Sequence, residues 1–164
     1  MIASSNSGKL GYEEFQKCAL ELVQKSKLLF DDWQIKRDES RGEIYLVKTS
    51  TSGLLKFEHH VIYSVAYSVP VLYFRMFRPD TGEIVWHSDE LLIAKQENGG
   101  LSQMPHPYEQ TPFLQLHPCH TANWMAEMRS MAAQSTNYLV SWLSFIGPQV
   151  GLDVSEKYTT TCPS

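Results

Sequence analysis

Phe57-Glu58-His59-His60-Val61-Ile62-Tyr63-Ser64-Val65-Ala66-Tyr67-Ser68-Val69 is the most regular stretch of the chain. Its bulky residues (Phe57, His59, Val61, Tyr63, Val65, Tyr67 and Val69) all fall on odd positions, and Glu58, His60, Ile62, Ser64, Ala66 and Ser68 lie between them. A period of two is the repeat of a β-strand, whose side chains alternate between faces. The stretch therefore predicts one long strand with a bulky face and a mostly small or polar face. Pro70 lacks an N–H and marks a turn, bulge or edge. Val71 to Phe77 reads as the returning strand of a hairpin, or as the same strand continued past a bulge. The tyrosines Tyr63, Tyr67 and Tyr73 read first as a stripe of sheet packing, although Tyr67, close to the strand's end, is placed to reach a site.

Outward from this strand the elements change character. Between Gly11 and Phe30, Tyr12, Phe15, Ala19, Leu22 and Val23 recur at three- and four-residue steps, the apolar face of an amphipathic helix. Trp33 to Arg37 and Glu43 to Lys48 read as short strands around the polar turn Asp38 to Gly42. Arg78 to Gly82 is a second turn. His87 to Lys95 reads as a short helix with Asp89 and Glu90 near its positive end. Met104 to Pro112 holds three prolines and reads as irregular. Phe113 to Leu116 is a short extended piece that delivers His117-Pro118-Cys119-His120. Two helices follow, the first capped by Thr121 and the second by Ser135 or Thr136, with Gly147-Pro148 as the stop. The order predicts a single α+β domain over 1–164, with an antiparallel meander of about four strands and helices on one face. Residues 1–8 and 155–164 are expected to be flexible ends.

The totals exclude several classes. With 164 residues, 43% hydrophobic and 20% charged, the composition is that of an ordinary globular domain. A formal net charge of -4 gives no electrostatic case for nucleic-acid binding. No apolar run is long enough to insert stably in a membrane. The polar N-terminus shows no signal-peptide core, which points to the cytosol. Three widely spaced cysteines, Cys18, Cys119 and Cys162, suit reduced thiols better than a disulfide framework.

Cys119 is the candidate nucleophile. Pro118 fixes the backbone before it, His117 and His120 flank it, and a helix follows. A thiol held there can be presented to solvent and accept an acyl group. A free cysteine is more often a small buried hydrophobe, and Cys18, on the apolar helix face, fits that description. Zinc is a competing use of His106, His117, Cys119 and His120. Near-adjacent ligands chelate one tetrahedral ion poorly, however, and no Cys-x-x-Cys or His-x-x-x-His pair is present. Thiol-protease chemistry would need His87 or His106 within reach of Cys119. His59 and His60 point to opposite faces of a strand and cannot act as a pair.

Three segments together resemble the autophagy-related protein ten family. His59 to Arg75 is similar to its long paired strands, and Pro112-Phe113-Leu114-Gln115-Leu116-His117-Pro118-Cys119-His120-Thr121 to its active-site motif. Asn137 to Ser144, with Gly147 to Leu152, is similar to its C-terminal helix. The resemblance implies a ubiquitin-conjugating-enzyme-like fold and no cofactor. It also implies that the activating enzyme, autophagy-related protein seven, passes the ubiquitin-like autophagy modifier twelve to Cys119 as a thioester. A lysine of autophagy-related protein five is then the acceptor. Carried over by position, Cys119 is the nucleophile, and Tyr67 and His117 assist transfer beside it. Ordinary ubiquitin-conjugating enzymes carry His-Pro-Asn shortly before the cysteine. Here His106-Pro107 is followed by Tyr108, leaving Asn123 and Asn137 as candidates for the missing amide. Trp86 to Gly100 and the residues before about Leu54 depart most from the family pattern. The sister family, autophagy-related protein three, shares His-Pro-Cys but transfers its modifier to phosphatidylethanolamine. Its members resemble longer chains with a large acidic insertion, for which this chain has no room. A catalytically silent binding module with the same fold is the remaining reading; it would tolerate a buried Cys119.

Overall fold

The computed structural model describes residues 7–86, 100–131 and 137–158. The long alternating stretch is a hairpin. β3 runs Leu55–Ser64, the chain reverses through Val65 to Ser68, and β4 returns over Val69–Phe77. Ser68 closes the turn with its N–H on the Ser64 carbonyl at 2.8 Å and takes a positive φ of 55°. The single strand expected as far as Val69 therefore ends five residues early. Alternation alone could not locate the reversal, because the turn residues Val65 and Tyr67 keep the odd pattern while standing 75% and 43% exposed.

Around this hairpin lie β1 (Gln34–Arg37), β2 (Ile44–Ser52), β5 (Ile84–Val85), β6 (Leu101–Pro105) and β7 (Pro112–Leu116). Among the described residues they form a seven-stranded antiparallel sheet in the order β1-β2-β3-β4-β7-β6, with β5 paired to β4. The expectation of about four strands was low. β6 and β7 reach into the proline-rich stretch Met104 to Pro112 that the sequence predicts to be irregular, taking up Met104, Pro105 and Pro112. Their prolines sit at the last ladder pair, Pro105 opposite Pro112, where a missing donor costs little.

Register explains the two faces. Leu46, Val61, Leu72, Leu116 and Leu101 line up in one row across five strands. That face carries the main core, under the helices α1 (Tyr12–Leu28) and α3 (Tyr138–Ile146). α1 buries Phe15, Cys18, Ala19, Leu22 and Val23, as its spacing predicts. α3 buries Leu139, Val140, Trp142, Leu143 and Ile146, at roughly 1.5–3 kcal/mol for each large apolar side chain. The opposite face is not the small or polar surface expected. It holds a second apolar cluster of Tyr45, Val47, Ile62, Val71, Tyr73 and Phe113, covered by Tyr108 from the β6–β7 connection. The tyrosine stripe does not form. Because the hairpin reversal shifts parity, Tyr63 joins the helix face, Tyr73 the opposite face, and Tyr67 the turn.

The helix caps also differ from expectation. Thr121 is already helical as the first residue of α2 (Thr121–Met131), and the cap moves to His117, ahead of a 3-10 turn over Pro118–His120. Asn137 caps α3, its side-chain oxygen accepting from the Val140 amide at 3.1 Å, in place of Ser135 or Thr136. Of the two ends expected to be flexible, residues 1–6 and 159–164 lie outside the described residues, and Gly8 and Tyr158 are packed. Gly8 is buried and its carbonyl accepts from the Tyr138 hydroxyl at 2.6 Å. Tyr158 is 4% exposed and donates its hydroxyl to Asp31 at 2.5 Å, while Asp31 also pairs with the buried Lys48. The helix expected over His87 to Lys95 lies outside the described residues. No helix among the described residues is long and apolar enough to cross a membrane.

Candidate active site

β7 ends at Leu116, and the chain turns sharply into α2 through His117 to His120. Pro118 stands at the first turn of the 3-10 segment, where its missing N–H is not needed. Pro118 is buried while Cys119 is exposed, so the turn is anchored by the proline and offers the thiol outward. Cys18 is the contrast: it is buried, and burial pushes its thiol pKa up. Cys162 lies outside the described residues.

His117 holds the turn. Its backbone N–H donates to Gly100 at 2.7 Å, and its Nδ1 accepts the Cys119 N–H at 3.2 Å. A neutral imidazole that accepts at Nδ1 carries its proton on Nε2. His117 is thereby presented as a donor at Nε2, one residue beyond the proline from the thiol. Tyr67 comes from the other side. Its ring meets the His117 ring edge to face, centroids 6.0 Å apart at 77°. The Tyr67 amide donates to Ser64 Oγ at 3.3 Å, which braces the turn that carries it. Tyr67, His117 and the Cys119 turn thus come together from two hairpins distant in sequence. A groove of about 570 Å³ runs from Tyr67, His117 and Pro118 over Tyr73 and Gln115 toward Met104 and Tyr108.

The residues offered for other chemistries go elsewhere. His106 is fully buried on the far sheet face, beside His60 and Glu109. Its Nδ1 accepts from the amides of Tyr108 and Glu109 at 3.1 and 3.0 Å, so its proton sits on Nε2. That Nε2–H donates to His60 Nδ1 at 2.8 Å, and His60 Nε2–H donates in turn to Glu58 at 2.7 Å. Arg75 supports the other Glu58 oxygen at 3.0 Å. The His60 bond, against the opposing effect of burial and with Arg75 helping, holds the Glu58 carboxyl down at about 2. His60, His106 and Glu109 each offer a ligand atom, all within 4.8 Å of one another, and here the two facing ring nitrogens share a hydrogen bond. The set is a proton-ordered hydrogen-bond chain that seats the β6–β7 connection. His106 is accordingly buried and engaged away from the exposed Cys119, so the two do not share a site, and His87 lies outside the described residues. His59 faces the helices, between Phe57 and Phe74, with Nε2 on the Val150 carbonyl at 2.9 Å. His59 and His60 do occupy opposite faces. Asn137 is committed to its cap and to the Cys18 carbonyl at 3.0 Å, which removes it as a replacement for the missing asparagine. Asn123 is exposed on α2. The roles of His60 and Gly8 were missed in sequence, and no local spacing signals either.

The sheet with helices on one face has the ubiquitin-conjugating-enzyme-like fold. A solved structure titled "Solution structures of KmAtg10" shares it, with a TM-score of 0.53 at 18% identity, covering 89% of this chain and 99% of that one. The family described as "Autophagocytosis associated protein, active-site domain" matches residues 31–157. The Homo sapiens protein named ubiquitin-like-conjugating enzyme ATG10 is 30% identical over 160 residues, covering 91% of this chain and 68% of its own length. The Arabidopsis thaliana protein of that name is 30% identical over 135 residues, and the Dictyostelium discoideum one 31% over 121. Those two matches cover 73% and 62% of this chain, and 60% and 53% of the relatives' lengths. The chain belongs to the ATG10 family of autophagy ubiquitin-like-conjugating enzymes, which are E2-like.

Proposed function

We propose that this E2-like enzyme carries the ubiquitin-like autophagy modifier twelve as a thioester on Cys119 and transfers it to a lysine of autophagy-related protein five. The observation that carries the reading is the pairing of an exposed thiol with a backbone clamp. Cys119 faces solvent while its amide is held by His117 Nδ1. In the first step the Cys119 thiolate attacks the carbonyl of the modifier's C-terminal glycine, bound as a thioester to the activating enzyme, autophagy-related protein seven. The new C–S bond forms as the old one breaks, and the activating enzyme's cysteine leaves as thiolate. In the second step the neutral acceptor amine attacks the same carbonyl. Negative charge builds on its oxygen, where the His117 Nε2–H is available as a donor. The amine donates a hydrogen bond to the Tyr67 phenol oxygen, and as the C–N bond forms its proton passes to water and on to the departing thiolate. Collapse expels the Cys119 thiolate and leaves an isopeptide bond. The expected site of action is the cytoplasm.

A charging assay with the activating enzyme, ATP and the modifier tests this. A thiol-sensitive adduct is expected with the unaltered chain, none with Cys119→Ala, and a thiol-resistant oxyester with Cys119→Ser. An adduct that survives Cys119→Ala would overturn the assignment. Charging by the lipid-directed modifier alone would move the chain to the sister chemistry.

A further inference from the structure

Gly8, Lys9 and Leu10 run between the two turns that make up the site. On one side the Leu10 N–H donates to the Ser68 carbonyl at 2.8 Å, and the Leu10 carbonyl accepts from the Tyr63 hydroxyl at 2.7 Å. Leu10, 1% exposed, is thus bonded to both flanks of the β3–β4 turn that carries Tyr67. On the other side Gly8 lies against α2, the helix that begins two residues after Cys119. A Cβ on Gly8 would overlap the Ala122 carbonyl oxygen and stand 2.8 Å from the Ala126 amide nitrogen. Its φ of +72° is one that glycine adopts without strain. The Tyr138 hydroxyl on the Gly8 carbonyl locks the segment to α3.

We propose that Gly8 to Leu10 is a positioning segment for the transfer step, setting the Tyr67 turn at its working distance from the Cys119 turn. The inference rests on the reading of Cys119 as the carrier. The bonds from the Ser68 amide to the Ser64 carbonyl and from the Tyr67 amide to Ser64 Oγ, the latter at 3.3 Å, are internal to the hairpin and do not reach the Cys119 turn. β4 and β7 pair only from Leu72 and Leu116 onward, short of both turns, and the rings of the exposed Tyr67 and of His117 meet beyond that ladder. Reaction rate falls steeply with small misplacements of an assisting group, by about a hundredfold for 1 Å. Charging needs only the thiolate, whereas transfer needs both turns in register. The segment therefore acts on transfer and leaves charging alone. Tyr63 and Tyr138 are positioning residues in this scheme, because each holds the segment by one hydroxyl.

The test compares the unaltered chain with Tyr63→Phe and Tyr138→Phe, which remove one hydroxyl each, and with Gly8→Ala. Each is charged with the modifier, ATP is removed, and discharge to free lysine is followed in single turnover, with thermal unfolding measured in parallel. Charging within about twofold of the unaltered rate and discharge slowed about tenfold are expected for the two phenylalanine variants. Gly8→Ala is expected to slow discharge further if it folds; the phenylalanine variants decide the matter if it does not. Discharge at the unaltered rate in both phenylalanine variants would overturn the proposal. So would charging and discharge falling together, which is the mark of general loosening. If the unaltered chain forms no thiol-sensitive adduct, the carrier reading itself fails and this inference with it, an outcome separate from a failure confined to the variants.

Discussion

His117 gives its Nδ1 lone pair to the Cys119 amide and keeps a proton on Nε2, so one side chain shapes the turn and, in the proposed reaction, also donates to the developing oxyanion. These two duties can be separated. Serine is a good capping residue but has no imidazole. His117→Ser is therefore expected to keep charging on Cys119 and slow transfer to lysine by about ten- to a hundredfold. Tyr67→Phe, which keeps the ring contact and removes the phenol, is expected to slow transfer while sparing charging. Single-turnover discharge measures both, and transfer at the unaltered rate in either variant would remove that residue from the mechanism. Cys119 and His117 were legible as candidates because they share one tripeptide, whereas Tyr67 stood out only by its place near the strand's end and by the family resemblance. The engagement of His106 was not, since its partner His60 is 46 positions away.

At the scale of elements, the start of the Cys119 turn and the start of α3 are both set by caps the local sequence leaves ambiguous. Ser135, Thr136 and Asn137 are all good capping residues in a row. Asn137 is the one whose amide also reaches the Cys18 carbonyl on α1, and that tertiary bond selects it. Asn137→Ala removes a cap and a buried donor together and is expected to cost about 1–3 kcal/mol in urea unfolding. A change under about 0.5 kcal/mol would show that the cap is dispensable. β6 illustrates a different limit. As an edge strand it is exposed over four of its five residues and buries no alternating face. It therefore carries no period-two signal, and prolines nearby suggested loop instead.

The whole molecule encloses histidines on both faces of one sheet, and that sets its response to acid. Burial holds His59 at about 4, with Lys48 and His60 adding to the effect. Burial also holds His106 at about 4; His60 and Arg75 push the same way, and Glu58 opposes. Both values lie below the ordinary histidine range, so the unfolded chain binds more protons than the folded one between pH 6.5 and 4. Stability therefore falls as pH drops through that window, by roughly 2 kcal/mol per histidine between pH 7 and pH 5. The Glu58 carboxyl, held at about 2, adds a further loss below pH 4.5. Urea unfolding at pH 7 and pH 5 measures the slope. His59→Phe, which stays flanked by Phe57 and Phe74, is expected to make it shallower, and an unchanged slope would exclude His59 as a contributor. By itself the sequence determined the α+β class, the apolar face of α1, the strand segments around His60, and the turn that exposes Cys119 after His117-Pro118. Each of these follows from a local repeat or a contiguous motif. Only the tertiary structure decided where the hairpin reverses, which face carries the second core, and that Gly8 to Leu10 joins the two turns. Those features depend on hydrogen bonds and packing between residues far apart in the chain, and no local pattern encodes such pairings.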